Sequence, residues 1–532
     1  MKSGHSIERM ELVDSVLLLQ GWAVGQDAAP TTLTLIGHSA SGKPWQLPIP
    51  FNRERPDVCA ALDIPDTSLQ CGFFFYGRIP EGHPSALLRD DSPNGVALHT
   101  WAESATGKSG EYRQRLVSWA YLLRRAWGLV RAGQWRNLCE RARRHLRSAF
   151  ASRKPNLAGA PQPDIDCLFI DHDMGGGANQ YRQASIRQRI KQGEHVALLT
   201  FSVVGLRYMA YLALPDGSSQ PMKQMAWAEV LPWIDSLRPK QIFYNNAVSF
   251  PHALALAEGL AAYKAEHRQS CRLTLAVHDY FVACPSQHLM NAEGRYCNLP
   301  EESICANCLP RSQQAMVSLY RHHGLQAWRQ AWGTLLQAAD EVLAFDPSAR
   351  QLLARAFRPI NDQRWLLRPH GVAPLNAAEQ EQLLRWRQRK NRKSGRIGVV
   401  GLIGSDVKGV QEVHELVSMI AQQKLPYEVV AIGQVSPRPQ HSEQYRETGP
   451  YKPEDLVRLV VDSDIDAFFF SSIGPETYSY VLHEIERFSL PIAAFNIGAQ
   501  STFLLHYPSA IILEMGDSAL DILKKLKPYL QG

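Results

Sequence analysis

Along residues 15–101 the apolar positions come in short runs, at 16–19, 32–36, 72–76 and 96–101, broken by Gly, Pro and Asp clusters. No helical period threads them, so this stretch predicts a small β-sandwich. The period changes after Tyr112. Apolar residues at 116, 119, 120, 123, 127 and 130, and again at 135, 138, 139, 142, 146 and 150, follow helical spacing with a break near Gly133. Residues 154–163, with three prolines and Gly159, then predict a linker.

Beyond the linker the pattern alternates. A strand at 165–170, a glycine loop and a helix at 178–191 lead to strands at 195–201, 241–244, 273–277 and 341–345, with helical text between them. The alternation restarts at Arg396, with strands at 397–401, 428–432, 467–470, 492–495 and 511–513. Strand–helix alternation of this kind predicts an α/β fold with two doubly wound parallel, Rossmann-like sheets facing a cleft where ligands bind. The expected units are 1–108 (β-sandwich), 109–160 (basic helical linker), 161–372 (first α/β unit, with a cysteine-rich loop at 284–308) and 373–532 (second α/β unit).

Composition changes this picture only at its edges. The chain has 532 residues with 57 Lys and Arg against 51 Asp and Glu, a net +6 that is too even for dedicated nucleic-acid binding. No window approaches the roughly 18 uninterrupted apolar residues of a membrane span. Residues 1–12 carry Lys2, Glu8, Arg9 and Glu11 and lack the form of a secretory leader, and nine cysteines, an odd number, suit a reducing compartment. The expectation is a cytoplasmic protein. One concentration of charge stands out: residues 112–150 hold ten arginines, interleaved with Trp119, Trp127 and Trp135. That stretch reads either as a face for an anionic membrane surface, at the inner side of the plasma membrane, or as a strut with solvated arginines.

Three places could carry chemistry. Gly175, Gly176 and Gly177 follow a strand and open a helix, so their backbone amides can approach a phosphate at a positive helix end, and the loop lacks the Lys-Ser/Thr ending of an ATPase. Gly404 and Lys408 follow the first strand of the second sheet, where an ammonium can neutralise a diphosphate. Glu476 and Glu484 follow the 467–470 strand. On one helix, eight positions place the first carboxylate in the opening turn and the second two turns deeper, able to hold hydroxyl groups of a sugar and a ribose. Asp-x-Asp occurs at 164/166, 171/173 and 464/466, a pattern that could suggest a metal–diphosphate site, but the first and last pairs flank strand entries and read as solvated caps.

Glu476, Glu484, Pro491 and Gly498 resemble the C-terminal signature of GT-B retaining glycosyltransferases of the large family 4, in which a glutamate, seven residues and a second glutamate precede Pro and Gly. Lys408-Gly409 and the glycine loop at 175–177 lie where that family places its phosphate lysine and its N-terminal loop. The resemblance covers 164–532. It departs at 401–403, where an Arg is usual, and at Thr477 and Ser479, where glycines are.

The resemblance implies a nucleoside diphosphate sugar donor, retention of configuration, and a cell-surface polysaccharide or lipid-linked glycan as acceptor, as in lipopolysaccharide synthesis. It assigns Gly474, Glu476, Thr477, Tyr478 and Glu484 to the donor, and it makes His278 a contact of the donor sugar, against the alternative of a structural histidine. Asp279 would orient His278 or reach the acceptor, and Arg368-Pro-His-Gly371 would line the cleft or form a turn. Alternatives are an epimerase of nucleotide sugars on the same fold, or a retired transferase serving as a scaffold. Gly21-Trp-Ala23, Arg55-Pro-Asp-Val58 and Gly72-Phe73 resemble an accessory β-sandwich seen ahead of some bacterial glycosyltransferases. Finally Cys284, Cys297, Cys305 and Cys308, with twelve, seven and two residues between them, suggest a structural zinc, in which His288 could replace one ligand, or a set of free thiols.

Overall fold

The structure is a computed structural model. It describes residues 4–100 apart from 14, 25–32, 39–41, 54, 65–69, 80–86 and 91–96, and residues 164–530 apart from 313–316, 321–323, 358–363, 390–393 and 441–442. The expected helical pair at 112–150 and the linker at 154–163 lie outside the described residues.

The N-terminal unit is two four-stranded antiparallel sheets. One runs Gly4–Val13, Val16–Val24, Gly72–Arg78, Phe51–Arg53; the other runs Pro44–Ile49, Leu33–His38, Leu87–Asp90, Ala97–Thr100. The uninterrupted run Val16-Leu17-Leu18-Leu19 is explained by burial on both faces of its strand. Leu17 and Leu19 enter the sandwich core with Leu33, Leu35 and Phe75, while Val16 and Leu18 turn the other way and join the core of the first α/β unit. Tyr76 crosses with them: its hydroxyl donates to the Ser249 carbonyl at 2.9 Å and its ring stacks on Phe201.

The first α/β sheet has eight strands in the order Ser219–Met225, Arg207–Ala213, Val196–Ser202, Cys167–Ile170, Gln241–Tyr244, Arg272–Ala276, Glu341–Ala344, Trp365–Leu367. The last six are parallel, as expected; the first two form an antiparallel hairpin that the sequence pattern did not announce. The second sheet is all parallel, in the order Tyr445–Glu447, Glu428–Val435, Arg396–Ile403, Ala467–Phe470, Ile492–Phe495, Ala510–Leu513. Its strands alternate between two cores: Val429 and Ala431 face one, Val430 and Ile432 the other. A strand apolar on both faces must be covered by helices on both sides, which is what a parallel sheet provides.

In each sheet the first strand has later strands on both sides, so the strand order reverses there. In the first sheet this happens between Cys167–Ile170 and Gln241–Tyr244, and in the second between Arg396–Ile403 and Ala467–Phe470. Loops leaving the carboxyl ends of such strands splay apart and open a crevice. Among the described residues no helix is long and apolar enough to cross a membrane.

Candidate functional site

Both reversal points carry the residues singled out above. In the second sheet the loop after Arg396–Ile403 brings Lys408 against Glu476, from the loop after Ala467–Phe470, with Nζ donating to Oε1 at 2.6 Å. The two loops are stapled: Ser471 Oγ donates to the Lys408 carbonyl at 2.7 Å, and Ser472 Oγ and the Ile473 amide donate to the Val407 carbonyl, each at 3.0 Å. This approach needs glycine at two points. A Cβ on Gly474 would lie 2.6 Å from Val407 Cγ1, and one on Gly409, whose φ is +74°, would lie 1.9 Å from the Ser471 carbonyl oxygen.

Glu476 is held from behind. Buried Gln500 accepts from the Glu476 amide at 3.0 Å and donates to the Gly474 carbonyl at 2.8 Å, while the Ala499 amide donates to the Glu476 carbonyl at 2.8 Å. Gly498 allows that turn: its φ is +49°, and a Cβ there would sit 2.8 Å from the same carbonyl oxygen. The glycine of the signature therefore serves the glutamate through backbone geometry.

One expectation fails here. Glu476 does not open a helix; it lies in an irregular loop, and the helix is Tyr480–Ile485, capped by the Ser479 hydroxyl, which accepts from the Leu482 amide at 3.4 Å. Proline at 475 and the preference of serine for the capping position move the start of the helix past the first glutamate. Glu484 alone is helical. It is partly buried, with its carboxyl raised by burial, and its charge acts on Tyr451, Tyr478 and Tyr480.

Across the crevice the glycine loop is pre-built. Gly175 and Gly176 have φ of +89° and +88°, and Gly176 caps the helix Gly177–Lys191. The Gly175 amide is already taken, donating to Asn179 Oδ1 at 2.6 Å, so the amides that begin the helix remain for a ligand. Beneath the loop Asp171 is fully buried and accepts from Arg182 Nη1 at 2.9 Å and Asn179 Nδ2 at 2.7 Å, and both donors also reach the His172 carbonyl. Burial pushes the Asp171 carboxyl up to about 7, against the pull of Arg182.

The two units meet in aromatic and hydroxyl contacts. His278, Phe345, His370 and Tyr480 stack in turn, with successive centroids 4.5, 4.0 and 5.0 Å apart and interplanar angles of 22° or less. The Thr477 hydroxyl donates to the His278 carbonyl at 2.7 Å, and the Tyr478 hydroxyl to the His370 carbonyl at 2.6 Å. These two residues, expected at the donor, thus commit their hydroxyls to closing the units on each other. Tyr480 also covers the glycine loop, its ring 3.2 Å from where a Cβ on Gly177 would lie.

His278 and Asp279 are likewise engaged. His278 Nε2 is 2.9 Å from Asn245 Oδ1, and Asp279 accepts from Asn246 Nδ2 at 2.8 Å and from the Phe281 amide at 2.9 Å. Burial holds the His278 imidazole well below its usual range and lifts the Asp279 carboxyl to about 6. Gly404 stays open, with the nearest atom 3.8 Å from a Cβ there.

The four cysteines are free, and burial raises the Cys284 thiol to about 12 and the Cys297 thiol to about 11. Among the described residues no three His, Cys, Asp or Glu side chains come together in a way that could hold a metal ion. Asp466 corrects a further reading: far from being a solvated cap, it is buried and accepts from the Ser394 amide and hydroxyl and the Arg396 amide.

Four buried or half-buried histidines, 172, 278, 288 and 370, share one electrostatic state. Burial lowers His172, His288 and His370 to about 4 and holds His278 well below its usual range. Histidine in the unfolded chain titrates near 6.5, so between about pH 6.5 and 4 the unfolded state binds more protons and stability falls as pH falls. Asp171 and Asp279, raised instead, oppose this in part. His370→Phe keeps the ring stack and removes one titration. Its melting temperature relative to the unaltered protein should therefore improve progressively from pH 6.5 to 4, and an unchanging difference would refute the assignment.

No family model matches the chain, and no curated protein matches it. Solved structures do. A crystal structure of HepE from Anabaena in complex with UDP is 14% identical over 69% of this chain and 92% of its own, with a TM-score of 0.41. A glycosyltransferase from Rickettsia africae is 12% identical over 69% and 88%, with a TM-score of 0.42. The E. coli ADP-heptose lipopolysaccharide heptosyltransferase II is 10% identical over 69% and 98%, with a TM-score of 0.23. At such scores the likeness carries no weight of its own, and the two-sheet architecture rests on this chain's strand order and pairing.

Proposed function

We propose that the protein is a glycosyltransferase that binds a nucleoside diphosphate sugar in the crevice between its two α/β units. The observation that carries the reading is the Lys408–Glu476 pair, set by two stapled loops at the carboxyl edge of the second sheet. An ammonium there can take the charge of a leaving diphosphate, and Glu476, once Lys408 turns to phosphate, can accept from a sugar hydroxyl. The first-turn amides of the helix Gly177–Lys191 add positive potential from the other side, and Glu484 is free to hold a ribose. Contacts across the crevice, from Thr477 and Tyr478, exclude water from a reaction that water would divert.

Retention of configuration, and a cell-surface polysaccharide or lipid-linked glycan as acceptor, belong to the same proposal and follow from the resemblance in the signature residues. The test is calorimetry with UDP, GDP, dTDP and CMP and their sugar conjugates. One nucleotide should bind, and Lys408→Ala should weaken it about tenfold to a hundredfold, the range for one charge-assisted contact. If no nucleotide binds, or if Lys408→Ala leaves affinity unchanged, the reading fails. Product analysis separates transfer, which yields nucleotide and a glycosylated acceptor, from epimerisation, which yields an altered sugar without an acceptor.

A further inference from the structure

The loop after Arg272–Ala276 leaves the first α/β unit and reaches the second one. Within it His288, read above only as a spare metal ligand, lies beside Gly474 in the loop that carries Glu476. A Cβ on Gly474, the residue two before Glu476, would lie 3.7 Å from His288 Cβ and 3.8 Å from its carbonyl oxygen. Lys408 and Glu476 both act electrostatically on the His288 ring. The backbone on either side of it is fixed. The Tyr280 amide donates to the Gln287 carbonyl at 3.0 Å; Leu289 takes a left-handed conformation, φ +54°, and the Cys297 amide closes onto its carbonyl at 2.9 Å. A non-glycine residue held at positive φ costs free energy and persists where the surroundings over-determine it, often at binding sites.

We infer that His288 is a donor-contact residue, supplied by the first α/β unit to the diphosphate that Lys408 binds in the second. This rests on the proposed function and deepens it: the diphosphate site is complete only when both units are together. The lowered basicity of the ring supports the role. A neutral imidazole donates one N–H to a phosphate oxygen without adding a second cation beside Lys408. Its Oε1-directed alternative, a bond to Glu476, would tie up the carboxylate meant for the sugar. The residue is thus an orienting donor, and Lys408 carries the charge.

The test is calorimetry on the full chain with UDP, GDP and dTDP, and with the matching free nucleoside as a control. His288→Ala should weaken the diphosphate that binds by about tenfold or more, leave the nucleoside unaffected, and leave the melting temperature close to that of the unaltered protein. His288→Gln keeps an N–H donor and should recover part of the loss; it also carries the test should the alanine variant fail to fold. Diphosphate affinity unchanged in both variants, or an equal loss for diphosphate and nucleoside, overturns the inference while leaving the glycosyltransferase reading standing. Failure of the unaltered protein to bind any of the three overturns that reading and this inference with it.

Discussion

Gly409→Ala should destabilise the protein by on the order of 3 kcal/mol or more and abolish nucleotide binding. The added Cβ would fall 1.9 Å from the Ser471 carbonyl oxygen, so the Lys408 loop and the Glu476 loop could no longer be stapled. The φ of +74° adds the cost of a left-handed alanine, about 1–2 kcal/mol. Gly175→Ala separates the two contributions. That glycine has a similar φ of +89° but nothing within 4 Å of a Cβ, so it should cost only the dihedral term. Denaturant unfolding of the two variants decides the matter: equal losses would mean that the close approach at Gly409 does not exist.

The second large effect lies under the glycine loop. Arg182→Met leaves the Asp171 carboxylate, fully shielded from solvent, without its cation. Breaking a buried pair from one side typically costs about 3–5 kcal/mol. The pH dependence makes the prediction sharper. Asp171 already titrates near 7, above its unfolded value, so the penalty for its charge grows as pH rises through that range. Without Arg182 the carboxyl moves higher still, and the deficit of the variant relative to the unaltered protein should be larger at pH 8.5 than at pH 6. A deficit independent of pH would show that the loss comes from packing of the arginine stem. Because Asn179 and Arg182 also hold the His172 carbonyl, the glycine loop should loosen with it.

The parallel strands were legible because they are buried on both faces: runs such as Phe468, Phe469 and Phe470 have no polar side to confuse the period. The hairpin Arg207–Ala213 and Ser219–Met225 was not. Its outer strand carries Ser219, Gln220, Lys223 and Gln224 at an exposed edge, where nothing selects apolar residues. The sequence marked Lys408, Glu476 and the glycine loop because local order fixes strand, loop and helix. It mislocated the helix start because a proline and a serine cap outweigh periodicity over one turn. His370 entered only within Arg368-Pro-His-Gly371, and its stacking depends on Phe345 and Tyr480 from distant parts of the chain. His288 was noticed as a spare metal ligand, because its contact with Gly474 exists only after both units have folded and met.

The shared core of the N-terminal sandwich bears on how the chain can be dissected. A protein begun at residue 164 would keep both α/β sheets but lose Val16, Leu18 and Tyr76 from the interior they fill. Phe201, Leu206 and Tyr208, which face Val13 and Val16 at that seam, would become a bare apolar surface on the outside of the remaining fold. The sandwich is thus not a detachable passenger, and the shortened chain should be prone to self-association even with every residue of the crevice in place.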